Sequence, residues 1–141
     1  MRLSTDEARA RFRAAPVARL ATVNPDESPH LVPIVFAWCP PDALVFAYDH
    51  KPKSGRPLKR LENLAARPAV SLLVDEWAED WDRLWWVRAD GLAEVLASAD
   101  PRRETGLDAL ATRYRQYREM RPAGPVAWIS VHAWSGWAAA G

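Results

Sequence analysis

The shortness of the links between apolar runs constrains this chain most. Val17–Val23 and His30–Trp38 each read as a strand, and only the turn-forming cluster Asn24-Pro-Asp-Glu-Ser-Pro29 lies between them. Strands joined this closely pair antiparallel, because a parallel pair needs a crossover of roughly a dozen residues or more. The pattern repeats. The turn Cys39-Pro-Pro-Asp42 leads to a strand over Ala43–Tyr48, and further strands are expected over Ala69–Val74, Leu84–Asp90 and Val126–His132. Gly91 marks a bulge or turn before a continuation over Leu92–Leu96.

Three helices interrupt this series. Ser4-Thr-Asp-Glu7 is a capping box, and the helix it opens runs to about Ala14, with Ala8 and Phe12 on one face and Pro16 as its stop. Leu58, Leu61 and Leu64 have helical spacing before Arg67-Pro68. Asp100-Pro101 is an N-cap followed by proline at the first helical position, and Leu107, Leu110, Ala111, Tyr114 and Tyr117 fall near one face of the helix it opens. About six antiparallel strands with peripheral helices and no βαβ series predict a mainly β fold, a six-stranded antiparallel barrel. The length of 141 residues fits one domain spanning residues 1–141.

Two details bear on where a ligand sits. The run from His30 to Trp38 is apolar on both faces, so cover is expected on both sides, yet Pro33 within it can donate no ladder bond. Pro33 therefore implies an edge, a bulge or a backbone facing a ligand. Trp85 and Trp86 are adjacent in a strand and must point to opposite sides, so one needs a helix, a partner chain or a ligand to cover it. Eight tryptophans in so short a chain point to a planar ligand, an extensive subunit interface, or both.

The polar chemistry concentrates in one stretch. Lys51, Lys53, Arg56, Lys59 and Arg60 lie within ten residues with no acid among them, and Pro52, Gly55 and Pro57 shape the backbone. A basic loop entering a helix can hold an anion through side-chain charge and free N–H groups, although surface lysines are more often simply solvated. A net charge of +1 disfavours a general nucleic-acid binder. His30, His50 and His132 lack metal-ligand spacing, and the single Cys39, beside two prolines, reads as an inert turn residue. No Gly-rich phosphate loop and no nucleophile-elbow motif occurs. The N-terminus lacks the apolar core of a signal peptide and no apolar run approaches a membrane span, so a cytoplasmic protein without membrane association is expected. Without an evident acid, base, nucleophile or metal, an enzyme of this kind would rely on a redox cofactor.

The hairpin from Ala18 to Pro33 resembles the opening of the pyridoxamine-phosphate-oxidase-like flavin-binding family. Lys51-Pro-Lys53, Leu61-Glu-Asn-Leu-Ala65, Arg67-Pro-Ala-Val-Ser-Leu-Leu-Val-Asp75 and Glu79-Asp-Trp-Asp-Arg-Leu-Trp-Trp-Val-Arg-Ala-Asp-Gly91 more narrowly resemble its actinobacterial, F-420-dependent branch. The similarity extends over roughly residues 4–137. It implies a split β-barrel homodimer of the FMN-binding type, with two cofactor sites at the interface. Carried over to this chain, it implies that Val32, Pro33 and Ile34 flank the cofactor ring, and that Lys51 and Lys53, with Arg56 and Lys59, bind its phosphate. It further implies that Ser71 and Leu72 lie near the site and that Trp85, Trp86 and Arg88 come from the partner subunit.

On this basis the expected function is hydride transfer between the deazaflavin F-420 and a small, planar substrate. The same fold carrying FMN, as an oxidase or reductase, is the alternative. A protein that binds F-420 or FMN without catalysis would use the same binding residues. No general acid is evident, which leaves solvent as the proton source.

Overall fold

The computed structural model describes residues 1–48 and 59–140, and for Lys59 and Arg60 the backbone alone. The first helix, α1 (Thr5–Ala14), begins at its capping box: Ser4 Oγ accepts the Glu7 N–H at 3.2 Å, and Ala8 and Phe12 face the core. The strands are β1 (Ala18–Val23), β2 (Pro29–Ile34), β3 (Ala37–Cys39), β4 (Ala43–Ala47), β5 (Ala69–Glu76), β6 (Trp85–Val95) and β7 (Val126–Ala138). The remaining helices are α2 (Lys59–Ala66), α3 (Pro101–Arg113) and α4 (Arg115–Glu119). All strand pairings are antiparallel, in the order β2-β1-β5-β6-β7-β4-β3.

The sheet thus has seven strands where about six were expected, because the run from His30 to Trp38 divides. The Tyr114 hydroxyl accepts the Phe36 N–H at 3.2 Å and lies 2.9 Å from the Phe36 carbonyl. Both backbone groups of Phe36 find their partner in a side chain 78 residues away, so strand pairing lapses there. The division explains the barrel. The two edge strands, β2 and β3, are consecutive in the chain and joined only by Val35 and Phe36. A link of that length spans about 11 Å at most, so the sheet must curl until its edges meet. The result is a mainly β, curled antiparallel sheet of the split-barrel kind.

The strand β7 also runs further than expected, through Trp134-Ser-Gly-Trp137 to Ala138. Its pairing with β6 shifts between Asp90↔Ala133 and Gly91↔Val131, which leaves His132 as an extra residue opposite the predicted bulge at Gly91. The bulge brings backbone close to Gly91: a Cβ there would stand 2.5 Å from the Ser130 carbonyl oxygen.

Two cores follow from this geometry. The barrel interior is filled by Phe12, Leu20, Phe36, Leu44, Phe46, Leu72, Val87 and Ile129. A second core lies between β3, β4 and the start of β7 on one side and α3 on the other, with Val45, Leu107, Leu110 and Trp128 buried in it. Arg113 extends from the end of α3 to the carbonyls of Arg13, Ala14 and Ala15, which caps the C-terminus of α1. Asp42, in the β3–β4 turn, accepts two bonds from Arg9 at 3.1 and 3.2 Å and the Trp134 indole N–H at 3.0 Å. It ties α1 and β7 to one carboxylate. Among the described residues no helix is long and apolar enough to cross a membrane.

Candidate functional site

The outer face of the sheet over β2, β1, β5 and β6 carries a groove. Strand register fixes its composition, because residues directly opposite one another in an antiparallel pair share a face. Leu31 pairs with Ala21, Ala21 with Ser71, and Ser71 with Asp90. One row along, Pro33 pairs with Arg19, Arg19 with Leu73, and Leu73 with Arg88. Asp75 pairs with Trp86, and Trp86 with Trp137. The groove has a volume of about 690 Å³ and is lined by Arg19, Leu31, Ser71, Leu73, Trp86 and Arg88, among others. On its other side Trp86 and Arg88 border a second recess of about 560 Å³ with Arg2, Thr5, Ser135 and Trp137. The face is unusually apolar for a surface: Leu31 is 65% exposed, Leu92 51% and Trp86 37%.

Polar groups in the groove are organised by Asp90. Ser71 Oγ donates to Asp90 Oδ1 at 2.6 Å, and Arg88 Nε donates to Asp90 Oδ2 at 3.1 Å. Arg19, on β1, has an exposed side chain on the same face. Beside this site, α2 is anchored to the barrel by a buried amide: Asn63 Nδ2 donates to Asn24 Oδ1 at 3.0 Å and approaches Thr22 Oγ1 at 3.4 Å. That anchor fixes α2 against the end of β1.

Of the residues expected at the site, Ser71, Trp86 and Arg88 line the groove, whereas Leu72 borders it but is buried, with its side chain in the barrel interior. Pro33 lies on the same outer face, beside Arg19 on the edge strand, as the edge reading of Pro33 required. Val32 and Ile34 instead turn toward the barrel interior, and Leu31 takes the position in the groove. The cover expected on both sides of this strand is not supplied within one chain, because Leu31, Pro33 and Val35 are exposed. Trp85 is on the opposite face from Trp86. It is packed partly against the core, 5.2 Å below the Arg11 guanidinium, with its indole N–H on Glu76 Oε2 at 2.8 Å. Lys51, Lys53 and Arg56 lie outside the described residues, as does the side chain of Lys59, whose backbone opens α2. Cys39 is buried in β3, and burial pushes its thiol up, in keeping with an unreactive residue. No group of three or more metal-ligating side chains occurs among the described residues.

Sequence reasoning missed Arg19, Leu31, Leu73 and Asp90. The available signal was parity: residues 71, 73 and 75 share one face of a strand, as do 86, 88 and 90. Which face was the open one depended on pairing between strands distant in the chain.

A curled antiparallel sheet with peripheral helices matches the split-barrel architecture. The family profile described as pyridoxamine 5'-phosphate oxidase matches residues 4–138, and the chain belongs to that family. No curated protein matches the chain. Among solved structures, the chain resembles a FAD-binding protein from Mesorhizobium loti at 24% identity and a TM-score of 0.75, with 96% of this chain and 95% of that one covered. It resembles a conserved hypothetical protein from Mycobacterium tuberculosis at 20% identity and a TM-score of 0.77, with 97% and 86% covered. It also resembles a heme storage protein from Vibrio cholerae at 14% identity and a TM-score of 0.69, with 95% and 93% covered. At these identities the likeness is one of fold.

Proposed function

We propose that this protein is an F-420-dependent oxidoreductase whose cofactor ring lies in the groove over β1, β5 and β6. One observation carries the reading: in a chain of this family, an apolar strip containing an indole, formed by Leu31, Leu73 and Trp86, is bordered by the guanidinium groups of Arg19 and Arg88. Flat apolar surface with cations at its edge suits a planar ring that carries negative charge. Bound F-420 would supply hydride transfer to a small, planar substrate. The protein's residues have the task of holding and orienting. Trp86 offers a ring face, Arg88 and Arg19 oppose anionic charge, and Lys51 and Lys53, aided by Arg56 and Lys59, hold the acidic tail. The breadth of that basic stretch favours the long tail of F-420 over the single phosphate of FMN. A flavin is the second reading, favoured by the fold's likeness to FAD-binding proteins.

Titration of the purified protein with each cofactor, followed by fluorescence quenching, tests the reading. F-420 is expected to bind more tightly than FMN. Tighter FMN binding replaces F-420 with a flavin, and binding of neither overturns the site.

The same face supports a homodimer with the cofactor sites at its interface, since Leu31, Leu73, Leu92, Trp86 and Trp137 are left uncovered by one chain. A stable interface of this kind buries on the order of 2,000 Å². Sedimentation at micromolar concentration is expected to give a dimer. A monomer alone removes the interfacial arrangement.

A further inference from the structure

We propose that Asp90 is a positioning residue that sets the hydrogen-bonding polarity of the groove, so that the groove selects a ligand with a cyclic imide edge, an N–H flanked by carbonyls. The inference rests on the ring-binding reading of the groove and says which edge of the ring is recognised.

The argument begins with proton counting. The Asp90 carboxylate, paired with the Arg88 guanidinium, accepts at both oxygens and has no proton to give. A serine hydroxyl has one proton to donate and two lone pairs with which to accept. Ser71 is 2.6 Å from Asp90 Oδ1, so its proton is committed there. The lone pairs of Ser71 are what remains for the groove, and Ser71 meets a ligand as an acceptor. Arg88 is committed to Asp90 through Nε alone at 3.1 Å, which leaves both terminal nitrogens as donors. Ser71 and Arg88 both line the groove. They are bonded to the two oxygens of one carboxylate, so its width sets their spacing. The edge presented is an acceptor beside donors. The complementary edge is a ring N–H beside a carbonyl, which deazaflavin and flavin rings share at their pyrimidinedione end. A ring whose imide nitrogen is alkylated leaves the Ser71 lone pairs facing a methyl group, and a site built to take a hydrogen bond discriminates against such an analogue.

The test uses lumiflavin and 3-methyllumiflavin, which lack any phosphate tail and so do not engage the basic stretch. Dissociation constants are measured for the full chain. The parent is expected to bind lumiflavin about tenfold more tightly than its N3-methyl analogue, the worth of one hydrogen bond. Ser71→Ala is expected to abolish the preference. Asp90→Asn is expected to abolish it too, because an amide NH2 donates to Ser71 and turns the hydroxyl proton toward the groove. The readout is a ratio within one protein, so partial unfolding of a variant lowers both affinities and leaves the ratio intact. If Asp90→Asn does not fold, Ser71→Ala decides alone. Equal binding of the two compounds by the parent, or a preference that survives Ser71→Ala or Asp90→Asn, overturns the proposal while leaving the ring site standing. No binding of lumiflavin overturns it as well, and if F-420 and FMN also fail to bind, the proposed function falls with it.

Discussion

Replacement of both Lys51 and Lys53 by Ala is expected to weaken F-420 binding by about two orders of magnitude or more and to leave the fold intact. Each charge-assisted hydrogen bond contributes roughly 1.5–3 kcal/mol, and each 1.4 kcal/mol is about tenfold in affinity. Solvent-facing lysines would behave otherwise, with stability changed by less than about 0.5 kcal/mol and binding little affected. Binding is also expected to fall as salt rises, since part of the attraction is screened. The control removes the same charge elsewhere. Arg102 and Arg103 at the start of α3 are poor candidates, because Arg102 is bonded to Glu94 and Asp100, and Arg103 to the Gly124 carbonyl. Arg115→Ala with Arg118→Ala on α4 serves better, because both side chains are exposed and their bonds, to Glu119 and to the carbonyls of Ala111 and Thr112, stay within α3 and α4. Equal F-420 affinity in parent, test and control proteins would make the basic stretch a solvated surface.

Asp42→Ala is expected to cost about 2–3 kcal/mol of stability, read by denaturant unfolding. Removal of one member of a buried pair leaves the other charge without its partner, which costs 3–5 kcal/mol when burial is complete. Here both side chains retain 27% exposure, so the lower figure applies. The Trp134 indole N–H loses its acceptor in the same change. The effect depends on pH in a fixed direction. Burial alone would push the Asp42 carboxyl up, but the hydrogen bonds from Arg9 and Trp134 and the Arg9 charge outweigh it and hold the group below the usual carboxylate range. A depressed folded value means that the stabilisation is complete above about pH 4, the ordinary carboxylate value, and is lost as pH falls through the lower folded value. The gap between parent and variant should therefore close in acid. A gap unchanged well below pH 3 would show that packing, not the ionised carboxylate, accounts for it.

Local chemistry made much of the fold legible. The Ser4 capping box and the Asp100-Pro101 start each opened a helix at the expected residue, since the signal and its effect lie within one turn. Pro33 indicated an edge, a bulge or a ligand-facing backbone and lies on an edge strand; Gly91 indicated a bulge or turn and lies at a bulge; and the pair Trp85-Trp86 indicated two faces, all from backbone rules. The division of the second apolar run was not legible, because its cause is a tyrosine hydroxyl from α3's far end and the run itself is uniformly apolar. The extension of β7 was hidden by the bulge, which interrupts the alternation by which a strand is recognised. In the site, Ser71, Trp86 and Arg88 were reachable through resemblance to the family. Arg19 and Asp90 acquire significance only when β1, β5 and β6 lie side by side, and no local pattern reports that pairing.

The extra residue at His132 acts as a phase shifter in the longest strand. Before it, odd-numbered residues such as Ala127, Ile129 and Val131 point into the barrel; after it, the even-numbered Trp134, Gly136 and Ala138 do. The half of β7 that serves two cores and the half that borders the open face thus run on opposite parity. Deletion of His132 itself would close the ladder into an unbroken alternation, with Val131 inward, Ala133 outward and Trp134 inward, whereas a deletion elsewhere in the strand would transpose every side chain beyond it. What this strand requires is therefore parity rather than a fixed length: away from the bulge, one residue gained or lost inverts the face, whereas a compensating change nearby restores it.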